Sequence, residues 1–441
     1  MVARNVTNAF ELQYIQDKDY RTDDHTQIAD IDLSGTKDER SYTVWDPWSE
    51  AYIPAWDDDN PLTQVYYRSG AVGAKCIQPH QPYDGYMNFI WFHNTDYWEH
   101  ISLWADGAGF RPIGTFVSPS SNYFLGSYNG RNHAITDLYI NRPTGEQVAL
   151  FGYVGNSTSS CVLKNIRLVN PDVTGHSRVA ALLARGAGGK TEGLDVVENC
   201  HVINASISGI ALTALLIGNA ANPAPYTKVY NCSATGTVTL RSASTNRFNG
   251  LIVAGSHASF EKCWGKGSVV IEASGGGTVE FGGMGGRSNG GTFVDCFVII
   301  DSLTGTANDL GGFVGWMNDS VGTPSFTRCY AVSPITDAGG FIKNFNGKTF
   351  PIVGCFFEGT INSGAALAKT EEQMKDKDTF TAADWDFETL WNIDETETIN
   401  DGYPYLDKRS LPGIGRFSEN SVFGDGFEAN SIMADDDNSI F

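Results

Sequence analysis

The sequence predicts an all-β fold: a right-handed parallel β-solenoid, or β-helix, carrying an aromatic-rich insertion and an extended C-terminal arm. Three observations predict it. Seven of the eight cysteines, Cys161, Cys200, Cys232, Cys263, Cys296, Cys329 and Cys355, are separated by 39, 32, 31, 33, 33 and 26 residues, which is a period. A Gly-flanked apolar phrase precedes most of them: VAALLARG at Val179, IALTALLIG at Ile210, GLIVAG at Gly250, VEFGGMGG at Val279, GGFVGW at Gly311 and GGFIKNF at Gly339. Apolar runs of this length, separated by turns and lacking a 3.6-residue period, read as strands of a parallel sheet.

Each unit is therefore a Gly-flanked strand, a turn, a Cys-bearing strand and a Thr/Ser/Gly-rich return. One unit cannot bury its apolar face alone, whereas stacked units share a continuous core. A thiol that recurs once per unit, with no CxxC pair, is expected to stack inward and unpaired rather than to form a disulfide or metal framework. Cys76 lies outside the phase.

In chain order, residues 1–35 read as the N-terminal cap, 36–109 as the insertion, 110–369 as the repeats, 370–406 as a C-terminal cap and 407–441 as an acidic tail. The insertion holds Trp45, Trp48, Trp56, Trp91, Trp98 and Trp104, six of the ten tryptophans. Rings of this kind either fill a small core or form an aromatic binding surface, and the six are the candidate surface. Asp57, Asp58 and Asp59 lack the alternating spacing of a calcium loop and read as a solvated turn. In the tail, Phe417, Phe423, Phe427 and Phe441 are spaced among polar residues. They cannot build a core alone, so they are candidate assembly anchors for a partner chain; the alternative is that the tail folds back on its own solenoid.

The ordered segments resemble the GLUG-repeat β-helix proteins of bacterial surfaces, with relatives among adhesins and in the non-catalytic repeat region of immunoglobulin A peptidase-like proteins. VTNAFELQYIQ with IADIDLSG resembles that family's opening, FRPIGTF and FLGSYNGRNHAITDLYI its next segment, and CVLKNIRLVNPDVTG its repeats. MKDKDTFTAADWDFETLW followed by DGYPYL resembles its close. The resemblance implies a β-helix and surface attachment, and it transfers no catalytic residue. Two features depart from it: the long link from Thr36 to Gly109, and a tail without a sortase motif.

Composition narrows the function classes. Apolar residues make up 41% of the chain, Gly numbers 49 and the formal net charge is -21. Phosphate contacts need clustered Lys and Arg, so a nucleic-acid partner is not expected. No apolar run reaches the length of a membrane span, and MVARNVTNAFELQYIQ does not read as a signal peptide. HExxH and GxSxG are absent, and no histidine pair has ligand spacing. ARGAGGKT fits a relaxed phosphate-loop pattern, but β-like sequence follows where a helix is needed. Glu261, Glu272, Glu280, Asp295 and Asp301 are the carboxylates on which a β-helix hydrolase would draw, and their spacing along the chain selects no pair.

The expected function is non-enzymatic, with no cofactor: presentation of a surface for host or receptor attachment, as a virion appendage or decoration protein on the virion surface. An exported bacterial adhesin and a polysaccharide-degrading tailspike are the alternatives. Expected partners are copies of the chain, other virion or surface proteins, and a cell-surface glycan or protein receptor.

Overall fold

A computed structural model describes residues 2–15, 20–37, 43–46, 51–54, 73–76, 98–101 and 108–406; the last range has breaks at 118–119, 157–158, 160, 187–195, 221–226, 242–246, 273–278, 306–308, 320–321, 337–338 and 395. The chain divides into two compact units, one ending at Glu371 and one starting at Glu372.

The first unit is a parallel β-solenoid. Its first sheet has ten strands, running from Ala3–Val6 and Asp24–Gln27 through Val196–Glu198 and Ser259–Glu261 to Ile352–Val353. Its second sheet holds the Cys-led strands, among them His201–Gly209, Ser233–Leu240, Trp264–Ile271 and Phe297–Thr304. A third, seven-stranded sheet contains Phe151–Val154, Val253–Ser256, Gly285–Ser288 and Val314–Met317. Two three-stranded sheets lead into it: Glu146–Val148 with Ser177–Val179 and Ala211–Thr213, and Arg247–Gly250 with Val279–Gly282 and Asp309–Gly311. The Gly-flanked phrase is thus the third side of each coil, and the Cys-bearing phrase crosses the corner from the first side to the second.

Stacking in register sets like side chains on like. All seven described cysteines are buried and none forms a disulfide, but only six share a column. Arg167 pairs with His201 and Val162 with Val196, so Ile166 holds the station of Cys200 one coil earlier, and Cys161, expected in phase, instead opens the first side. The thiols bridge coils: Cys232 Sγ donates to Tyr230 O at 3.2 Å and to Val197 O of the coil before at 3.5 Å. Cys263 repeats the pattern on Glu261 O and Val229 O. Burial pushes the thiols of Cys232, Cys296, Cys329 and Cys355 up. Phe260, Phe293 and Phe326 stack nearly coplanar at 5.2 and 5.1 Å. Trp264, Phe297 and Tyr330 do the same at 5.6 and 5.0 Å.

The corner between the first and second sides turns through a left-handed residue: Asn165, Asn199, Asn231, Lys262, Asp295 and Arg328 all have φ between 50° and 55°. Asparagine tolerates this region because its short amide bonds locally. Here the amides also join coils, with Asn165 donating to Asn129 (2.9 Å), Asn199 to Asn165 (2.8 Å) and Asn231 to Asn199 (3.1 Å). Where asparagine gives way, Arg328 closes the column with two bonds to Asp295, at 2.7 and 2.8 Å.

The chain start belongs to the solenoid. Asp24–Gln27 pairs with Ser127–Asn129, and Ile31–Asp32 pairs with Ile135–Thr136. Gln13 and Arg111 exchange amide bonds of 2.9 and 2.8 Å. Ala108 O accepts from Asn141 N. The link noted in the sequence therefore leaves the second sheet and rejoins it at the same coil.

In the second unit, Phe380, Trp385 and Trp391 form an aromatic cluster with centroids 4.9 and 4.4 Å apart. Trp391–Asn392 pairs antiparallel with Tyr405–Leu406. Asp394 gathers the backbone N–H groups of Thr396, Thr398 and Ile399 and the hydroxyls of both threonines, which hold its carboxyl well below the usual range.

Two outcomes are expected. The phased thiols resist a membrane-impermeant thiol reagent in the native protein and titrate in full, without reductant, once the chain is unfolded; two or fewer free groups would rule out the ladder. Asn199→Ala removes the amide bonds and strains the left-handed backbone, costing about 1–3 kcal/mol in urea melts. Asn199→Gly keeps the conformation and should cost less.

Candidate functional site

Two outward columns meet on the side of the solenoid where the Gly-flanked phrases run. Along Arg247–Gly250, Val279–Gly282 and Asp309–Gly311, successive side chains point to opposite faces of the sheet. Val279 and Phe281 belong to the core, so Glu280 between them points outward. Register sets Phe248 opposite Glu280 and Glu280 opposite Asp309. In the third sheet Gly255 stands opposite Arg287, and Arg287 opposite Trp316. The two columns face each other across the turns linking these strands.

The geometry fixes Arg287. Its guanidinium carbon lies 4.5 Å from the Phe248 ring centroid and 4.1 Å from that of Trp316, and the two rings are 6.3 Å apart at 28°. Gly255, the neighbour of Arg287 one coil before, adds no side chain to this column. Nε of Arg287 donates to Asn289 Oδ1 at 2.8 Å. Guanidinium against ring faces is a favourable electrostatic contact, and it holds the planar fork in one orientation.

Glu280 is the electrostatic outlier. It is 9% exposed, and among the described residues its buried Oε2 has no hydrogen-bond partner. Burial and then the Asp309 carboxylate raise its pKa from 4.5 to about 7, with Arg287 opposing. The site therefore sets a carboxyl that is half protonated at neutral pH beside a carboxylate and a clamped arginine. This set supplies a hydroxyl donor, carboxylate acceptors, guanidinium donors and aromatic faces.

The other carboxylates singled out in the sequence are not gathered. Asp295 is buried in the bidentate pair with Arg328. Glu261 and Asp301 make long surface contacts, both 3.8 Å, to Lys262 and Lys266. Glu272 is exposed. Of the five, only Glu280 is in the cluster; Asp309, Arg287, Phe248 and Trp316 were missed. Aligning the phrases would have found them. With Gly250, Gly282 and Gly311 in one column, Phe248, Glu280 and Asp309 fall in another.

Trp45 and Trp98 fall on the short antiparallel strand pairs Thr43–Asp46 with Ala51–Pro54 and Gly73–Cys76 with Trp98–Ile101, but their side chains lie outside what the structure describes. Trp48, Trp56, Trp91 and Trp104, the loop Asp57–Asp59, and Phe417, Phe423, Phe427 and Phe441 lie outside the described residues altogether, as does the Ala187–Thr191 part of ARGAGGKT. Among the described residues no three of His, Cys, Asp and Glu gather as a metal site, and no helix is long and apolar enough to cross a membrane.

The protein is thus a parallel β-solenoid with a lateral site of aromatic, guanidinium and carboxyl groups. No protein-family model matches the chain. Halomucin of Haloquadratum walsbyi is 36% identical over 87 residues, which are 20% of this chain and 1% of that protein. This chain therefore aligns with only a small fraction of that relative's length. A crystal structure of a candidate immunoglobulin A1 protease from Bacteroides ovatus aligns over 91% of each chain at 14% identity, with a TM-score of 0.35.

The raised proton affinity of Glu280 has a consequence for stability. The unfolded chain releases this proton near pH 4.5 and the folded chain near pH 7, so the folded state binds more protons between these values. Stability from this group is complete below pH 4.5 and is lost as pH rises to 7. Glu280→Gln should therefore gain on the wild type by about 1–3 kcal/mol between pH 5 and pH 8 in urea melts. An equal difference at both pH values would contradict the burial of the charge.

Proposed function

We propose that the chain is a non-enzymatic attachment protein: a stiff β-solenoid that displays its lateral surface as a virion appendage or decoration, with an exported bacterial adhesin as the second placement. The carrying observation is the division of labour in each coil. Inward positions are spent on the Cys and Phe ladders, and outward positions on the third side collect side chains fit for recognition. The unpaired thiols suit folding in a reducing cytosol, where virions assemble. A net charge of -21 keeps such a surface soluble and repels polyanions.

A second reading, polysaccharide cleavage, is favoured by one feature. Glu280 retains its proton to about pH 7 beside Asp309, the arrangement of a general acid with a carboxylate partner.

Immunogold labelling of a producing culture should place the protein on particles or cell envelopes. Label confined to the cytosol would overturn the attachment reading. Purified protein incubated with host-surface polysaccharide should release no new reducing ends; release that Glu280→Gln abolishes would replace attachment with cleavage.

A further inference from the structure

We propose that Phe248, Glu280, Arg287, Asp309 and Trp316 form a subsite for a neutral sugar residue of a surface glycan. This deepens the attachment reading and rests on it for its biological setting. Among the described residues Glu280 Oε2 is buried without a hydrogen bond, and a buried acceptor left unpaired is destabilising. Among the described residues Arg287 commits only Nε, to Asn289, while the Phe248 and Trp316 rings both lie against its guanidinium. A fixed fork with unused Nη donors beside two carboxyl groups matches vicinal hydroxyls, each of which both donates and accepts.

The apolar part of the site fits the same ligand class. Sugar rings carry C–H faces that pack on the negative face of an aromatic ring, and Trp316 and Phe248 supply such rings at half-buried positions. The column Phe248, Glu280, Asp309 spans two inter-strand steps, about 10 Å, the scale of one or two sugar rings.

Other ligands fit less well. Asp309 and the overall charge of -21 oppose phosphates, sulfates and uronates. A cationic peptide would meet Arg287 at the centre. A divalent cation would need ligands that the described residues do not gather.

The solenoid holds an internal comparison. Arg185 lies over the Tyr153 ring at 5.1 Å in the same column, three coils before Arg287. It tests whether an arginine on a ring suffices alone.

The test is a glycan array followed by titration calorimetry on the full chain. Probes are neutral oligosaccharides (gluco-, manno- and galacto-series) and the acidic chains polygalacturonate and hyaluronan. A neutral probe should bind the wild type. Trp316→Ala and Asp309→Asn should each weaken it tenfold or more, and Arg185→Ala should leave it unchanged. Asp309→Asn alters one charge in a half-buried position and keeps the test valid if Trp316→Ala melts early. Failure of every neutral probe, preference for the acidic chains, or equal binding by wild type and Asp309→Asn would overturn the subsite. If immunogold label stays on particles while the subsite variants bind like the wild type, the subsite falls and attachment stands. If the variants lose glycan while label is confined to the cytosol, the reverse holds.

Discussion

In-register stacking of parallel strands is the constraint on which the rest of this molecule depends. Each backbone bond of a coil goes to the coils before and after it, so every side chain faces its counterpart one period away at about 4.8 Å. Columns, not individual contacts, become the unit of stability. A column works when its members attract or pack along the stacking axis. Phenylalanines do so by near-coplanar stacking. Thiols do so by donating across coils to carbonyl oxygens. This accounts for why six cysteines, Cys200, Cys232, Cys263, Cys296, Cys329 and Cys355, stand in one column without pairing: their thiols have already spent their donors on the backbone.

Corners obey the same logic and show how a column changes. The amide column Asn129, Asn165, Asn199, Asn231 is self-complementary, since each amide both donates and accepts. Lys262 breaks it, reaching instead for the Tyr230 hydroxyl at 3.2 Å. Asp295 and Arg328 then pair as opposite charges. A second left-handed corner, at Asp137, Asn170 and Asn204, ends more abruptly. Gly236 takes its place at φ 142°, where a Cβ would lie 2.1 Å from Ala205 O, and the pairing shifts register between Val202 and Ala205. From there the second side runs straight through Ser233–Leu240 and Trp264–Ile271. The lateral cluster starts in the same stretch, at Phe248, and extends over the following coils.

The fold was legible in the sequence because its signals are periodic. The spacing from Cys200 to Cys355 and the Gly-flanked phrase follow from one residue per coil at a fixed station, and both survive drift in everything else; Cys161, five residues ahead of that station, is the member that spacing alone misplaced. The corner asparagines were harder to read. Their role depends on a positive φ, which no hydropathy pattern encodes, and three later coils replace them with Lys262, Asp295 and Arg328. The lateral cluster was legible only in part. Glu280 stands out as a carboxylate, but its neighbours along the chain are Val279 and Phe281. Its true neighbours lie one coil away in each direction, and the glycine alignment that exposes them is a statement about register. The insertion tryptophans gave the opposite signal: density along the chain, which attracts notice whatever the three-dimensional arrangement.

Alternation and stacking together explain why recognition chemistry can collect on one side of such a molecule at small cost to its fold. Because successive residues of a strand point to opposite faces, Glu280 changes the surface while Val279 and Phe281 keep the core. Because coils stack, residues a full period apart become neighbours without any long loop to order. A site built this way is rigid from the outset, and little conformational entropy is lost on binding. The cost that does arise is electrostatic and local. Desolvating Glu280 beside Asp309 stores a charge penalty that a proton relieves below pH 7. In water alone that penalty has no use. It is tolerable if a bound hydroxyl completes the bonding of the carboxyl, and this links the strained ionisation of Glu280 to the surface it occupies.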